Sequence, residues 1–229
     1  STIPGDPNDL LISLPGGEEI RIRNTLSNSF SDTIETIQFT TGGVTLSIGD
    51  VIDLLVDQQI STGDDVVNGF NGANTIEAGL GDDYTSGGDG SDTYIFNAGD
   101  GVDEIDDNGG GDVDVLSVVG YSSTDATFAY ATGDKATLVI SLPGGDQITI
   151  RNGLTNSFAD NIEQITFSGD GVTLTPTDIT DILNAQQITA GDDTVYGTVF
   201  NETIEAGTGD DYVSGGDGSD LYLFNTGDG

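Results

Sequence analysis

Glycine and aspartate recur every nine residues in two stretches of this chain, and they are the residues best suited to bind a ligand. Cut at nine, the first stretch reads ISTGDDVVN, GFNGANTIE, AGLGDDYTS and GGDGSDTYI, and the second reads ITAGDDTVY, GTVFNETIE, AGTGDDYVS and GGDGSDLYL. Glycines can adopt positive φ, which lets the backbone carbonyls of a turn converge, and aspartates add carboxylates. Both kinds of oxygen are ligands that Ca²⁺ takes in proteins. The pattern therefore predicts a row of calcium sites.

The spacing of nine residues also indicates how such sites are built. Each nonapeptide contains a three-residue strand, centred in the first stretch on Val67, Ile76, Thr85 or Tyr94, and a six-residue turn. Two nonapeptides then make one coil of a parallel roll. Stacked parallel strands lie about 4.8 Å apart, so a cation midway between two stacked turns lies about 2.4 Å from each. That distance suits Ca–O contacts of about 2.3–2.6 Å better than Mg–O contacts of about 2.0–2.1 Å.

Gly-Asp pairs also have an ordinary explanation, because they are common in turns that bind no metal. One such pair would be uninformative, whereas nonapeptides repeated in a shared register favour calcium. Tyr94 and Tyr222 are expected to fill the interior of the roll rather than to stack on a sugar. Six aspartates are expected to be solvated neighbours of the ligands: Asp64, Asp82, Asp89, Asp192, Asp210 and Asp217.

The most regular nonapeptides support a resemblance to a known family. Gly87–Ile95, and the copy that begins at Gly215, match G-G-x-G-x-D-x-U-x when U may be aromatic. On this motif the chain resembles the RTX, or haemolysin-type, calcium-binding repeat proteins. The resemblance implies an all-β fold with two parallel β-rolls, each of which binds several Ca²⁺ ions. Asn74 and the stretch Phe200–Glu202 depart from the motif.

The resemblance also implies which residues hold calcium. Turns of alternate nonapeptides stack on the same side of a roll, so carboxylate ligands are expected in pairs: Asp65 with Asp83, Asn74 with Asp92, Asp193 with Asp211, and Glu202 with Asp220. Asp103 is expected to close a further site. The candidate metal ligands are Gly63, Asp65, Gly72, Asn74, Gly81, Asp83, Gly88, Gly90, Asp92, Gly99, Gly101, Asp103, Gly191, Asp193, Glu202, Gly209, Asp211, Gly216, Gly218 and Asp220.

A longer repeat positions these nonapeptides in the chain. At an offset of 128 residues, 56 of the 91 positions from 11 to 101 are identical. In each copy, alternating apolar residues such as Ile20 or Ile148 and a Pro-Gly-Gly turn predict a small antiparallel β module with one buried face. A short helix is predicted at Gly49–Gln58 and again at Thr177–Gln186. This segment resembles the haemolysin-type calcium-binding-related region. The predicted units are module 1 (1–59), roll 1 (60–105), a connector (106–128), module 2 (129–187) and roll 2 (188–229).

The charge of the chain excludes some partners. There are 40 Asp and Glu against four Lys and Arg, a net charge of -36, which should oppose a compact state unless a cation binds. Four scattered cations cannot bind nucleic acid or an anionic membrane surface. No apolar run reaches the roughly 18 residues of a spanning helix, so membrane insertion is not expected. Without an initiator Met or a signal peptide, the chain is expected to be a fragment or a processed product.

Three functions are compatible with these features. Catalysis is disfavoured, because the chain has no His and no Cys and its clustered carboxylates are expected to be ligands. The preferred function is a structural stalk or surface-assembly segment of a large secreted protein, since long repeats exceed what a carrier needs. The alternative is a C-terminal carrier region of a secreted toxin or enzyme, such as a lipase, protease or polysaccharide epimerase. The RTX resemblance implies a secreted or cell-surface location and type I export. Further copies of the chain or a cell-surface polysaccharide are the expected partners besides calcium.

Overall fold

The computed structural model describes residues 2–3, 6–23, 26, 34–110, 113–155 and 162–228. They form short strands and two ten-residue helices, α1 (Ile48–Asp57) and α2 (Pro176–Ala185). No described helix is long and apolar enough to cross a lipid bilayer. The strands are β1 (Thr2–Ile3), β2 (Asp6–Ser13), β3 (Glu19–Ile22), β4 (Thr36–Phe39), β5 (Val44–Ser47), β6 (Val66–Asn68), β7 (Thr75–Ile76), β8 (Tyr84–Ser86), β9 (Thr93–Asn97), β10 (Val102–Ile105), β11 (Val115–Val119), β12 (Thr127–Ala131), β13 (Asp134–Ser141), β14 (Gln147–Ile150), β15 (Gln164–Phe167), β16 (Thr173–Leu174), β17 (Thr194–Tyr196), β18 (Thr203–Ile204), β19 (Tyr212–Ser214) and β20 (Leu221–Tyr222).

Module 1 is built from two small antiparallel sheets and α1. The first sheet has the order β1-β2-β3, and the second pairs β4 with β5. Ser47 caps α1, because its hydroxyl accepts the Asp50 N–H at 3.1 Å while the Asp50 carboxylate accepts the Ser47 N–H at 2.7 Å. Thr175 caps α2 in the same way. With these caps, both helices lie one residue earlier than predicted.

Roll 1 consists of two parallel sheets whose strands come from alternate nonapeptides. β6, β8 and β10 pair in one sheet, and β7, β9 and β11 pair in the other. The central residue of each strand points into a shared core, so Val67, Ile76 and Tyr94 are only 0%, 1% and 2% exposed. The two-residue alternation of these strands thus places one apolar side chain per nonapeptide inside.

The first strand of each roll is paired by a glutamine side chain at its outer edge. Gln59 Nε2 donates to the Asn68 carbonyl at 2.8 Å, and the Asn68 N–H donates to Gln59 Oε1 at 3.0 Å. Gln187 pairs with Tyr196 in the same way, at 3.3 and 3.2 Å. Each glutamine therefore satisfies backbone groups that an edge strand would otherwise expose.

Module 2 continues the two sheets of roll 1. β14 lies parallel to β10, and β15 lies parallel to β11. The sheets therefore have the orders β12-β13-β14-β10-β8-β6 and β16-β15-β11-β9-β7. The predicted connector at 106–128 contains β11, so parallel stacking runs through this segment into module 2.

Roll 2 repeats the arrangement, with β17 parallel to β19 and β18 parallel to β20. The predicted all-β fold with parallel β-rolls is confirmed. The two modules differ on their apolar face, since Ile148 and Ile150 are 0% and 1% exposed whereas Ile20 is 48% exposed. The prediction of a buried face is wrong for Ile20, because no described strand lies against the outer edge of β3.

Candidate metal sites in the stacked turns

Backbone amides and carboxylates of stacked turns form a ladder along one side of roll 1. The N–H of Asp65 donates to Asp83 Oδ1 at 2.7 Å, and the N–H of Asp83 donates to Asp103 Oδ1 at 3.0 Å. Each accepting carboxylate therefore reaches back to the turn two nonapeptides earlier. The structure brings these three predicted residues together because the parallel strands hold successive turns in register.

The other side of roll 1 carries a longer ladder. The N–H of Asn74 donates to Asp92 Oδ1, and the N–H of Asp92 donates to Asp114 Oδ1, both at 2.7 Å. The N–H of Asp114 then donates to Glu163 Oε2, again at 2.7 Å. The ladder thus continues past the predicted pair and reaches module 2.

Roll 2 has one rung of the ladder on each side. The N–H of Asp193 donates to Asp211 Oδ1 at 2.8 Å, and the N–H of Glu202 donates to Asp220 Oδ1 at 3.2 Å. All four predicted pairs are therefore adjacent in the structure. Their role as calcium ligands stays a prediction.

Sequence reasoning missed Asp107, Asp114 and Glu163. Asp114 had a signal, because Gly109 and Gly110 followed by Val113–Leu116 resemble a nonapeptide interrupted by extra residues. Glu163 had none, since it precedes β15 in a module without the nine-residue repeat. Its place in the ladder depends on the stacking of β15 on β11.

Glycines allow the turns to stack closely. Gly81 has a φ of 143°, and a Cβ at this position would lie 2.7 Å from the carbonyl carbon of Gly63. Gly90 has a φ of 130°, and its Cβ would lie 2.4 Å from the carbonyl carbon of Gly72. A side chain would therefore displace the neighbouring turn as well as strain the backbone. Close stacking therefore brings backbone atoms of one turn against the glycine of the next.

The remaining predicted glycines differ in how closely a neighbouring turn approaches them, and Gly63 and Gly72 have no atom within 4 Å of a built Cβ. A Cβ would lie within 3 Å of a carbonyl oxygen of the preceding stacked turn at Gly101, Gly209, Gly216 and Gly218. Gly88 has a carbonyl oxygen 3.7 Å from such a Cβ, and Gly99 and Gly191 have no stacked carbonyl within 4 Å. The Gly99 N–H instead donates to Asp146 Oδ2 at 2.6 Å.

Burial raises the pKa of several carboxylates in roll 1, because a buried charge is unfavourable unless a cation compensates it. Asp83 is 2% exposed, and its Oδ2 has no hydrogen-bond partner among the described residues. Burial, followed by the nearby charge of Asp65, raises the pKa of Asp83. Burial likewise raises the pKa of Asp103 to about 7, with a further contribution from the Asp83 charge.

Three buried carboxylates converge where roll 1 meets β11. Ligand atoms of Asp92, Asp107 and Asp114 all lie within 4.8 Å of one another. Asp107 is 1% exposed, and its Oδ1 accepts the Tyr94 hydroxyl at 2.6 Å. Burial and the charge of Asp114 raise the pKa of Asp107 despite that hydrogen bond. Such a cluster can hold either a divalent cation or shared protons.

Asn74 is used differently from the aspartates of the ladder. Its Nδ2 donates to the carbonyls of Phe70, at 2.8 Å, and Gly72. Its Oδ1 accepts the Phe70 N–H at 2.8 Å. The amide therefore bonds to the turn carbonyls that a cation would otherwise bind. As a neutral donor, Asn74 fits a turn that needs no metal at this position.

Glu202, which replaces Asn74 in the second copy, has an anionic side chain at the same position. Its Oε1 accepts the Thr198 N–H at 2.9 Å, while its Oε2 is buried and has no hydrogen-bond partner within the described part of the chain. Burial is the largest cause that raises the pKa of Glu202. This turn therefore retains an oxygen that a cation could satisfy.

The six carboxylates predicted to be solvated are exposed. Three of them still contact a neighbouring turn: Asp64 accepts the Asp82 N–H and Asp192 accepts the Asp210 N–H, each at 3.0 Å, and Asp82 accepts the Val102 N–H at 3.1 Å. Tyr94 is buried as predicted, whereas Tyr222 is 46% exposed, although its hydroxyl accepts the Gly215 N–H at 2.8 Å just as that of Tyr94 accepts the Gly87 N–H at 2.6 Å. The reason is that β20 pairs only with β18 among the described strands, whereas β9 is also covered by β11.

The donor chemistry of these turns fits Ca²⁺. Buried anionic oxygens without hydrogen bonds are costly unless a cation compensates them. Asp65, Asp83 and Asp103 would hold the metal on one side of roll 1, and Asp92 and Asp114 on the other, together with turn carbonyls. The bound ion would neutralise their charge.

Comparison with known families agrees with this chemistry. The RTX calcium-binding nonapeptide repeat (4 copies) matches residues 60–94, 189–222 and 196–229. The haemolysin-type calcium binding protein related domain matches residues 138–178. No curated protein matched the chain. Both predicted resemblances are confirmed, and the second is found in module 2.

Proposed function

We propose that this chain, which carries RTX calcium-binding nonapeptide repeats, is an extracellular structural segment of a larger secreted protein and folds when it binds calcium. The observation that carries the proposal is the ladder of buried carboxylates, in which Asp83 and Glu202 keep an oxygen without a hydrogen bond among the described residues. A chain with a net charge of -36 needs cations to hold such groups together.

Calcium binding then becomes folding free energy, because the site exists only when successive turns are stacked. Extracellular calcium modules have dissociation constants of about 10⁻⁴–10⁻³ M, far above the free calcium inside a cell. The rolls would stay open before export and close outside. RTX repeats are typical of secreted proteins, which supports export through a type I channel.

A structural role is favoured over a carrier role by the continuity of roll 1 with module 2. Sheets of six and five strands run through both units, so the second copy is built directly onto the first. Such stacking suits a stiff stalk or a surface assembly, with further copies or a cell-surface polysaccharide as partners. No catalytic role is proposed, since the chain has neither His nor Cys and the paired carboxylates already accept backbone N–H groups.

Circular dichroism of the chain in EGTA and during calcium titration tests the proposal. We expect low β signal in EGTA and a cooperative gain as Ca²⁺ approaches about 10⁻⁴–10⁻³ M. Titration with Mg²⁺ at equal ionic strength is the control for charge screening. An unchanged spectrum and melting temperature in chelator would contradict the proposal.

A further inference from the structure

We propose that Asp107 is a calcium ligand outside the nine-residue ladder, and that with Asp92 and Asp114 it forms a site of three carboxylates. This site lies where roll 1 meets β11, next to module 2. The inference deepens the proposed function and rests on it, because it assigns a further ligand and a higher affinity to one of the calcium sites.

The register of the parallel strands places Asp107 in a stacked turn. β10 pairs with β8 in a register that makes Asp107 the counterpart of Gly87. β11 pairs with β9 in a register that makes Asp114 the counterpart of Asp92. The segment between β10 and β11 is therefore stacked on the turn formed by residues 87–92. Both of its aspartates lie over that turn.

A carboxylate at the position of Asp107 departs from the repeat. The eight regular nonapeptides all begin with Gly, Ala or Ile. At Gly87 the missing side chain leaves room for other groups, since a Cβ there would collide with the Asp92 carboxylate and lie 2.6 Å from the Tyr94 hydroxyl oxygen. Asp107 thus adds a carboxylate to a space that already contains one carboxylate and a phenol.

Hydrogen bonds hold each of the three carboxylates through one oxygen. Asp107 Oδ1 accepts the Tyr94 hydroxyl at 2.6 Å. Asp92 Oδ1 accepts the Asn74 N–H at 2.7 Å, and Asp114 Oδ1 accepts the Asp92 N–H at the same distance. A donated hydrogen bond favours the ionised form of a carboxyl group. Because a carboxylate has two oxygens, each residue can still offer one to an ion.

The second oxygen of Asp107 indicates a ligand. Asp107 is 1% exposed, and its Oδ2 has no hydrogen-bond partner among the described residues. A buried anionic oxygen of this kind is costly unless a cation compensates it. Ligand atoms of Asp92, Asp107 and Asp114 all lie within 4.8 Å of one another, and Ca–O distances are about 2.3–2.6 Å. One Ca²⁺ can therefore contact all three residues.

Three carboxylates in a fixed setting favour a tight site. Calcium affinity is tuned by the number of charged ligands and by the rigidity of the site. Asp114 is also fixed from module 2, because its N–H donates to Glu163 Oε2 at 2.7 Å and its carbonyl accepts the Glu163 N–H at 3.1 Å. We expect this site to bind calcium at least ~10-fold more tightly than a site with two ladder carboxylates, and to fill first.

Isothermal titration calorimetry of the full chain with Ca²⁺ tests the inference. The original chain should have one site that is at least ~10-fold tighter than the others, and Asp107→Asn should lose it. Asp89→Asn is the matched control, since Asp89 is exposed in the turn beneath and loses the same formal charge. It should keep the tight site. Loss of the tight site in both variants would assign the effect to net charge and overturn the inference.

Circular dichroism in EGTA separates a metal site from shared protons, which Asp107 and Asp114 are close enough to hold between them. Asp107→Asn removes one of three like charges and adds an amide donor beside two carboxylates. Its residual β signal in EGTA should therefore exceed that of the original chain, while its calcium affinity falls. A raised signal with unchanged calcium binding would mean that the cluster shares protons, and the inference would be overturned.

Two further results would decide against the inference. An Asp107→Asn variant that folds with calcium and binds it like the original chain would overturn the assignment of Asp107 and leave the proposed function standing. If circular dichroism in saturating Ca²⁺ shows that this variant does not fold, the titration of the original chain decides. Calcium sites of equal affinity in that chain would overturn the inference.

Discussion

Replacement of Asp83 by Asn tests whether calcium is held by the ladder. Asp83 contacts both neighbouring rungs, because its Oδ1 accepts the Asp65 N–H and its own N–H donates to Asp103. Asn74 indicates what the new side chain would do, since its amide donates to two carbonyls of its own turn. The equivalent carbonyls for an amide at 83 belong to Gly79 and Gly81. Asp83→Asn should therefore bond to the turn in place of the cation.

The expected loss follows from the strength of charged hydrogen bonds. A bond to a charged group contributes about 1.5–3 kcal/mol, and a bond between neutral groups contributes about 0.5–1.5 kcal/mol. The substitution therefore weakens the contact with the Asp65 N–H by about 1 kcal/mol and also removes a negative ligand. Since about 1.4 kcal/mol corresponds to a factor of ten, about 1 kcal/mol corresponds to ~5-fold, and loss of the negative ligand should bring the fall in affinity at the flanking sites to ~10-fold.

Isothermal titration calorimetry with Ca²⁺ measures this change, and Asp89→Asn is the matched control. Asp89 is exposed and loses the same formal charge, so only the screened surface field changes. We expect reduced stoichiometry or affinity for Asp83→Asn and near-original binding for Asp89→Asn. Asp211→Asn and Asp217→Asn should repeat the contrast in roll 2. Equal effects within each pair would mean that calcium is a diffuse counter-ion cloud, and the ladder assignment would be refuted.

Two further predictions concern the same ladder. Asn74→Asp replaces the amide donor with a carboxylate, so calorimetry should detect one additional or tighter calcium site, and unchanged binding would argue against the metal-free interpretation of this turn. The pH dependence of the chain should reverse with calcium: because burial raises the pKa of Asp103 to about 7, folded chains in EGTA bind more protons than unfolded ones between about pH 4 and pH 7. The residual β signal in EGTA should therefore rise as the pH falls from about 8 to about 5, whereas in excess Ca²⁺ the melting temperature should fall as protons compete for the carboxylates; loss of β signal in EGTA over the same pH range would contradict this reasoning.

The nine-residue register was predictable because it depends only on the residues within each nonapeptide. Positive φ at Gly81 and Gly90 and the inward Ile76 and Tyr94 follow from their positions within a nonapeptide. Adjacent placement of Asp65 and Asp83 follows from the same period. These features need no information about distant parts of the chain.

Features that depend on tertiary stacking were not predictable from the repeat. Asp114 and Glu163 join the ladder because β15 stacks on β11, and this pairing is set by module 2 rather than by a local motif. Asn74 was predicted as a ligand by position, and that role stays a prediction, but the hydrogen bonds from its amide to its own turn could not be read from the repeat. Tyr222 has the same sequence context as Tyr94, yet its exposure depends on which strands lie above it.

The glutamine amides that cap β6 and β17 make the two edges of each sheet different. Gln59 occupies the N–H and the carbonyl of Asn68, and Gln187 does the same for Tyr196, so no strand can add at those positions. The opposite edge of roll 1 is the edge on which module 2 is built. Pairing of β6 with β17 through these two residues is therefore blocked. A stack of these units therefore has a direction, from the glutamine-capped strand towards the strand on which the next unit is built.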